Sequence, residues 1–234
     1  GVGRLTRPPA SPRRYARRMA NFRPLDAENG LLIAATLPGE AADFDQTAEQ
    51  AWRRLEVPGD APLWVNLDRT KPRAQQWIRE EAGLDPIVAE ALLEEETRPR
   101  FEAHERGLLV ILRGVNMNPG AEPDDLISLR LWIEPERAIT LRAFRFQTVG
   151  ALRERVQAGR GPASPGAFLA AAAAGLADRL SPVVENLEAL LDRVEESLVD
   201  RAAADDGERS ALATIRRQAI TYRRYMTPQR DAMS

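Results

Sequence analysis

Few residues in this chain have the type and spacing to do chemistry. His104 is the only histidine and there is no cysteine. His104 stands in "EAHER" between Glu102 and Glu105. Ligands one or two residues apart on a strand point in awkward directions, so a surface histidine outweighs a structural zinc site. Without Cys, disulfides, Cys-based zinc sites and thiol catalysis are excluded. One His leaves little room for a Ser-His-Asp triad. There is no Gly-rich phosphate loop and no nucleophile elbow, so no enzyme is expected. The remaining candidates are charged clusters. Glu94, Glu95 and Glu96 could gather cations; the plainer reading is solvated helix-end charge paired with Arg98 and Arg100. Asp124-Asp125 reads as a turn pair.

The most regular pattern lies at the end of the chain. Leu212, Ile215, Ala219, Tyr222 and Met226 are spaced 3, 4, 3 and 4 apart. That is an a/d stripe, the seam by which a helix packs along other helices. Arg216, Arg223 and Arg230 repeat every seven residues beside it, with Arg217 and Arg224 adjacent. These columns could line an ion path, or pair with the acidic residues Glu185, Glu188, Asp192, Glu195 and Glu196 of the preceding helix. Nothing stops the last helix: it lacks a terminal Gly, and Pro228 comes only near its end. It reads as the start of a truncated stalk helix, with the natural chain continuing past Ser234.

The elements that must position these residues follow from pattern. Leu31–Leu37 and Leu63–Leu67 read as strands. Asp45–Leu55 reads as a short amphipathic helix. A helix from Pro72 is ended by Gly83, and Asp85-Pro86 starts another. Four runs follow, "RPRFEAHERG", "LLVILRGVN", "LISLRLWIE" and "RAITLRAF", joined by short turns. Ile127, Leu129, Leu131 and Ile133 share one face, and Ser128, Arg130 and Trp132 the other. That alternation predicts an antiparallel meander with one face buried. Trp64 and Trp77 read as core, while Trp132 sits under a helix or beside Arg130. A helix over Thr148–Gln157, a loop, and a long helix over Ala167–Arg201 come next, with Pro182 expected to bend or break the last. "AAADDGE" reads as a turn, and the final helix starts near Glu208. The expected fold is α+β: an αβα domain over 25–160 with a mostly antiparallel sheet, then a long helical hairpin and stalk start over 161–234.

Charge is unevenly spread. The net charge is −2. Residues 1–24 carry +7 and 208–234 carry +4, leaving −13 in between. The arginine-rich front reads as a disordered tail, an expression remnant, or a mis-set start with Met19 as first residue. No folded nucleic-acid motif stands beside it, so no nucleic-acid partner is expected. No run approaches the roughly 20 apolar residues of a membrane span, and Phe168–Leu176 is too short and too weakly apolar.

Two stretches carry a family resemblance. "RRYMTPQRD" at Arg223–Asp231 and "ETRPR" at Glu96–Arg100 resemble CorA-type divalent-cation transporters, specifically the ZntB zinc-transporting branch. The matching family-motif residues are Thr97, Arg98 and Pro99, with Pro228, Gln229 and Arg230. "WVNLDR" and the strand pair "LLVILRGVN" and "LISLRLWIE" resemble it too, so the likeness covers about Leu31–Ser234. It implies the cytoplasmic funnel domain of a homopentamer in the cell inner membrane, whose stalk helix continues into two membrane spans. The transported ion it implies is Zn²⁺, with no resident cofactor. Gly114-Val115-Asn116 spells the family's pore tripeptide but closes a strand, so it is read as coincidence; the true signature would lie beyond Ser234, and no residue here is assigned to metal. The competing expectation is a soluble coiled-coil interaction module without a membrane part.

Overall fold

Strands β1 (Leu31–Thr36), β2 (Leu63–Asp68), β3 (Arg100–His104), β4 (Gly107–Val115), β5 (Leu126–Glu134) and β6 (Arg137–Arg142) form one sheet. Their spatial order is β1-β2-β6-β5-β4-β3. The run β3 to β6 is the antiparallel meander that the alternation and short joints predict. β2 joins β6 in parallel, and β1 closes that side antiparallel to β2. The computed structural model describes residues 24–57, 59–122, 124–199 and 206–232. The front tail and most of the "AAADDGE" turn lie outside the described residues.

The helices are α1 (Ala48–Glu56), α2 (Pro72–Gln76) continued by one π turn (Trp77–Glu81), α3 (Pro86–Leu93), α4 (Gln147–Gln157), α5 (Pro165–Val199) and α6 (Asp206–Ala232). Local chemistry sets their ends. Thr47 caps α1 through a capping box with Gln50, so the helix starts later than the apolar pattern suggests. The Asp85 carboxylate accepts from the Ile87 N–H at 2.8 Å, and Pro86 takes the first turn. Gly83, at φ +66°, ends the preceding turn. α5 runs unbroken through Pro182, so the break that the sequence allowed at that residue does not occur. Pro182 lies on the exposed side, where the carbonyl it leaves unpaired stays within reach of water.

Both faces of the sheet are buried, which corrects the one-sided expectation. On one face Leu129, Leu131 and Ile133 meet Val149 and Val156 of α4 and Phe168, Ala172 and Leu176 of α5. Trp64 packs on Phe168 with ring centroids 4.8 Å apart. On the other face Leu109, Ile111, Trp132 and Leu141 meet Trp77, Ile78, Val88 and Leu92. The nominally polar side of β5 is therefore interior: Arg130 is 0% and Trp132 3% exposed. Polarity misleads there because the Arg130 Nη atoms and the Trp132 indole each find an acceptor inside. Trp132 Nε1, for example, donates to Glu134 Oε2 at 3.0 Å.

Length and composition would let Pro165–Glu196 cross a membrane, with a mean hydropathy of 1.4 over its most apolar stretch. This corrects the expectation that no run comes near that threshold. Its first half is committed to the sheet through Phe168, Ala172 and Leu176. Gly114 explains itself here: a Cβ at that position would stand 2.6 Å from Leu176 Cδ2. The glycine of Gly114-Val115-Asn116 is a packing requirement at a strand end, as its place in the sequence suggests.

Candidate functional site: the seat of the closing helix

α6 lies against α5 and against the sheet edge formed by β3 and β4. Its buried positions are Ile215, Gln218, Tyr222 and Gln229. They keep the helical period of the sequence stripe but are turned to one side of it. Of the stripe, Ile215 and Tyr222 are buried, Leu212 and Met226 half-buried, and Ala219 exposed. Among the described residues, Leu212, Ala213, Arg216, Arg217, Ile220 and Thr221 line a shallow open groove on α6. Ile220 is 58% exposed there.

Three polar fixings seat the helix on the domain. The first is Arg217, whose Nε lies 3.4 Å from Asp124 Oδ2. Asp124 is thus more than a turn residue. Burial raises the Tyr222 phenol pKa, and the Asp124 charge raises it further.

The second fixing completes the sheet edge. β3 pairs with β4 in the register Arg100 to Ile111. That register would put Arg98 opposite Arg113, but β3 begins only at Arg100, after Pro99, which has no N–H to offer. The Arg113 N–H would be left at a ladder position without a strand partner. Instead it donates to Gln229 Oε1 at 2.6 Å. A side chain of α6 stands in for the missing strand residue.

The third fixing is the Arg113 guanidinium. Its Nη1 donates to the Leu126 carbonyl at 2.9 Å and its Nη2 to the Thr97 carbonyl at 2.6 Å. It also lies over the Tyr225 ring, 4.8 Å from the centroid. Burial pulls its pKa below the ordinary arginine value. Arg130 stands behind it, donating to the carbonyls of Leu92 at 2.8 Å and Glu95 at 3.2 Å. Burial, with the charges of Arg69 and Arg113 nearby, brings Arg130 down to about 9. The chain leaving α3 therefore wraps round two inner guanidiniums that hold its carbonyls. Glu94, Glu95 and Glu96 stay on its solvent side, with Glu94 3.7 Å from Arg100.

The separate sequence pieces converge at this point. Thr97 and Pro99 are buried and Arg98 is exposed. Pro228 is half-buried, Gln229 is buried, and Arg230 is exposed with Asp231 at 2.7 Å. Arg113 bridges "ETRPR" to "TPQRD", yet no motif reading marked it. Its signal was a lone charge inside the apolar run "LLVILRGVN". Arg130 carried the same signal inside "LISLRLWIE". Arg216, Arg223 and Arg224 are exposed, and Arg224 lies 5.5 Å from the Tyr225 ring. His104 stands 3.8 Å from Glu102 and edge-on to Trp132. Among the described residues no three His, Asp or Glu side chains gather as a metal site requires. The convergent groups hold the position of a helix.

This fold, a two-faced sheet with α6 along its edge, is shared with soluble domains of CorA-type transporters. The chain aligns with the soluble domain of CorA from Methanocaldococcus jannaschii at a TM-score of 0.57 and 18% identity, over 73% of this chain and 68% of that one. It aligns with the ZntB cytoplasmic domain from Vibrio parahaemolyticus at 0.64 and 24% identity, over 73% and 67%. These two likenesses concern the fold alone. The full-length CmaX structure aligns at 0.72 with 36% identity, covering 87% of this chain and 62% of that chain.

The chain belongs to the CorA-like family: the family model described as CorA-like Mg²⁺ transporter protein matches residues 59–234. It is 40% identical over 208 residues to the divalent cation transporter CmaX of Pseudomonas aeruginosa, covering 88% of this chain and 62% of that protein. It is 33% identical over 178 residues to the zinc transport protein ZntB of Pectobacterium carotovorum, covering 76% and 54%. The chain thus spans between half and two thirds of the length of these relatives. These relatives are described as transporters, and the family is one of transporters rather than enzymes.

Proposed function

We propose that this chain is the cytoplasmic, stalk-bearing part of an inner-membrane divalent-cation transporter that works as a homopentamer and moves Zn²⁺. One observation carries the reading: α6 is seated on the sheet edge by one face while Leu212, Ala213 and Ile220 leave an apolar groove open on another. A helix seated on one side and apolar on a second suits a stalk that packs on its own domain and on neighbouring copies. Two relatives, one a divalent cation transporter and one a zinc transport protein, support the cargo. This reading assigns the membrane spans to the part of the relatives' length that this chain does not cover. Neither a resident cofactor nor a nucleic-acid partner enters this reading.

The excess acid of the middle segment has a use in that setting. A vestibule walled by carboxylates raises the local concentration of cations, and salt screens the effect. Hydrated cations are handled by carboxylates, carbonyls and water, which need no cysteine.

The test is metal uptake by vesicles that carry the protein encoded by the complete reading frame. Zn²⁺ flux above that of empty vesicles, and exceeding Mg²⁺ flux, is the expected result. A reading frame without apolar spans after Ser234, or vesicles that move neither ion, would favour the soluble coiled-coil module.

A further inference from the structure

We propose that seating the end of α6 and holding the segment 94–99 are a single event, joined through Arg113. This goes beyond transport and does not depend on which ion moves.

Arg113 touches both parts at once. Its backbone N–H and the face of its guanidinium are occupied by Gln229 and Tyr225 of α6. Its Nη2 holds the Thr97 carbonyl. No carboxylate hydrogen-bonds to the guanidinium among the described contacts; carbonyl oxygens and an aromatic face surround the charge. Such contacts hold a cation well only while water is kept out. The Tyr225 ring is part of what excludes it. Lifting α6 away uncovers the guanidinium, lets water compete for its protons, and weakens its hold on Thr97. The reverse also follows. Freeing the segment 94–99 releases the fork that presents the guanidinium to Tyr225. Coupling of this kind is reciprocal, and the shared cation is its physical carrier. The segment so coupled is the one that exposes Glu94, Glu95 and Glu96 to solvent.

Thr97 offers a clean reporter. It is 5% exposed, and its hydroxyl has no hydrogen-bond partner. Thr97→Cys therefore removes no side-chain bond and leaves the carbonyl in place. The chain has no other thiol, so maleimide labelling of the 234-residue Thr97→Cys protein reads exposure at this one position, and exchange in β5 and β6 separates local opening from global unfolding.

Adding Tyr225→Ala or Gln229→Leu should speed labelling about tenfold, a common size for coupling between sites. Hydrogen exchange at the Arg113 amide should rise with it, and by clearly more than exchange in β5 and β6, which follows only the small change in global stability. Tyr225→Phe keeps the ring and should leave labelling at its starting rate. Arg113→Lys keeps the charge and loses the fork. It should speed labelling as much as Tyr225→Ala, and the two together should do no more than either alone. The proposal is overturned if labelling stays slow in both α6 variants although Arg113 exchange has risen. It is also overturned if Gln229→Leu leaves the Arg113 amide protected, or if Tyr225→Phe accelerates labelling.

Discussion

α5 and α6 rest on one sheet by opposite chemistry. The first half of α5 enters an apolar face: Phe168, Ala172 and Leu176 are buried, and Gly114 lets the helix approach closely. The end of α6 is held by Gln229, Tyr225, Arg217 and one arginine of the sheet. Apolar burial is worth roughly 1.5–3 kcal/mol per large side chain and tolerates small displacements. A net hydrogen bond contributes about 0.5–1.5 kcal/mol, an exposed ion pair about 0.2–1, and a cation–π contact about 0.5–2. Those polar terms are directional, so a shift of an ångström or so weakens them together. α5 thus rests on contacts that resist displacement, whereas the contacts at the end of α6 weaken together on a small shift, which is what the proposed coupling requires.

The largest expected effect tests the fixed half. Phe168→Ala empties the space beside Trp64 and should cost about 3–5 kcal/mol in chemical denaturation of the whole chain. A loss under about 1 kcal/mol would mean that α5 is not anchored as described, and the contrast with α6 would fail. Arg130→Ala comes next. It leaves the buried Leu92 carbonyl without its donor and gives the part-buried Glu95 carbonyl to water, for a loss of about 1–3 kcal/mol. Arg130 is polar like the α6 contacts but fully buried like the α5 ones, so this variant separates the effect of burial from that of polarity.

For α6 the expected global effect is smaller. Gln229→Leu should lower overall stability by about 1 kcal/mol or less, yet raise exchange at the single Arg113 amide. A global loss as large as that of Phe168→Ala would place the end of α6 among the fixed elements.

The same contrast governs what the sequence makes legible. The strands β3 to β6 follow from alternation and short joints, and α3 from Asp85-Pro86 and its apolar run. Those signals are local and concern apolar side chains. The covered second face of the sheet was hidden because Arg130 and Trp132 look like solvent-facing residues. Only the tertiary placement of α3 supplies the carbonyls that make Arg130 acceptable inside. The seat of α6 was half legible. Ile215 and Tyr222 belong to the apolar stripe, but Gln218 and Gln229 do not, and they share the buried face. Gln229 falls three residues after Met226, on the period of the stripe, but a glutamine there reads as the end of the apolar seam and not as a stand-in for a strand residue. Its partner is a backbone N–H, which looks the same at every position of the sequence.

The smallest effect is a pH dependence at the other end of the seat. The Tyr222 phenol has its pKa raised above 10.0 by burial and by Asp124. The folded state therefore keeps the proton at pH values where the unfolded chain has begun to lose it. Tyr222 contributes its full stability below pH 10 and loses it as pH climbs through the raised value. Arg130 changes in the opposite sense: its folded pKa of about 9 lies below the ordinary arginine value, so its burial becomes less unfavourable over that alkaline range. Comparing Tyr222→Phe with the unaltered chain cancels the Arg130 contribution, which both share. Near pH 8 the variant should melt slightly lower, by the equivalent of about 0.5–1.5 kcal/mol for the lost hydroxyl. Above pH 10 the gap should close, because only the unaltered chain has a phenol to ionise beside Asp124. Asp124→Asn should move that closing point to higher pH, since the α6 seat then accommodates a phenolate without a carboxylate at its side, and should make the melt less sensitive to salt through loss of the Arg217 pair. A gap that stays constant from pH 8 to 11 would separate Tyr222 from Asp124, and the near end of the seat would then rest on packing, as α5 does.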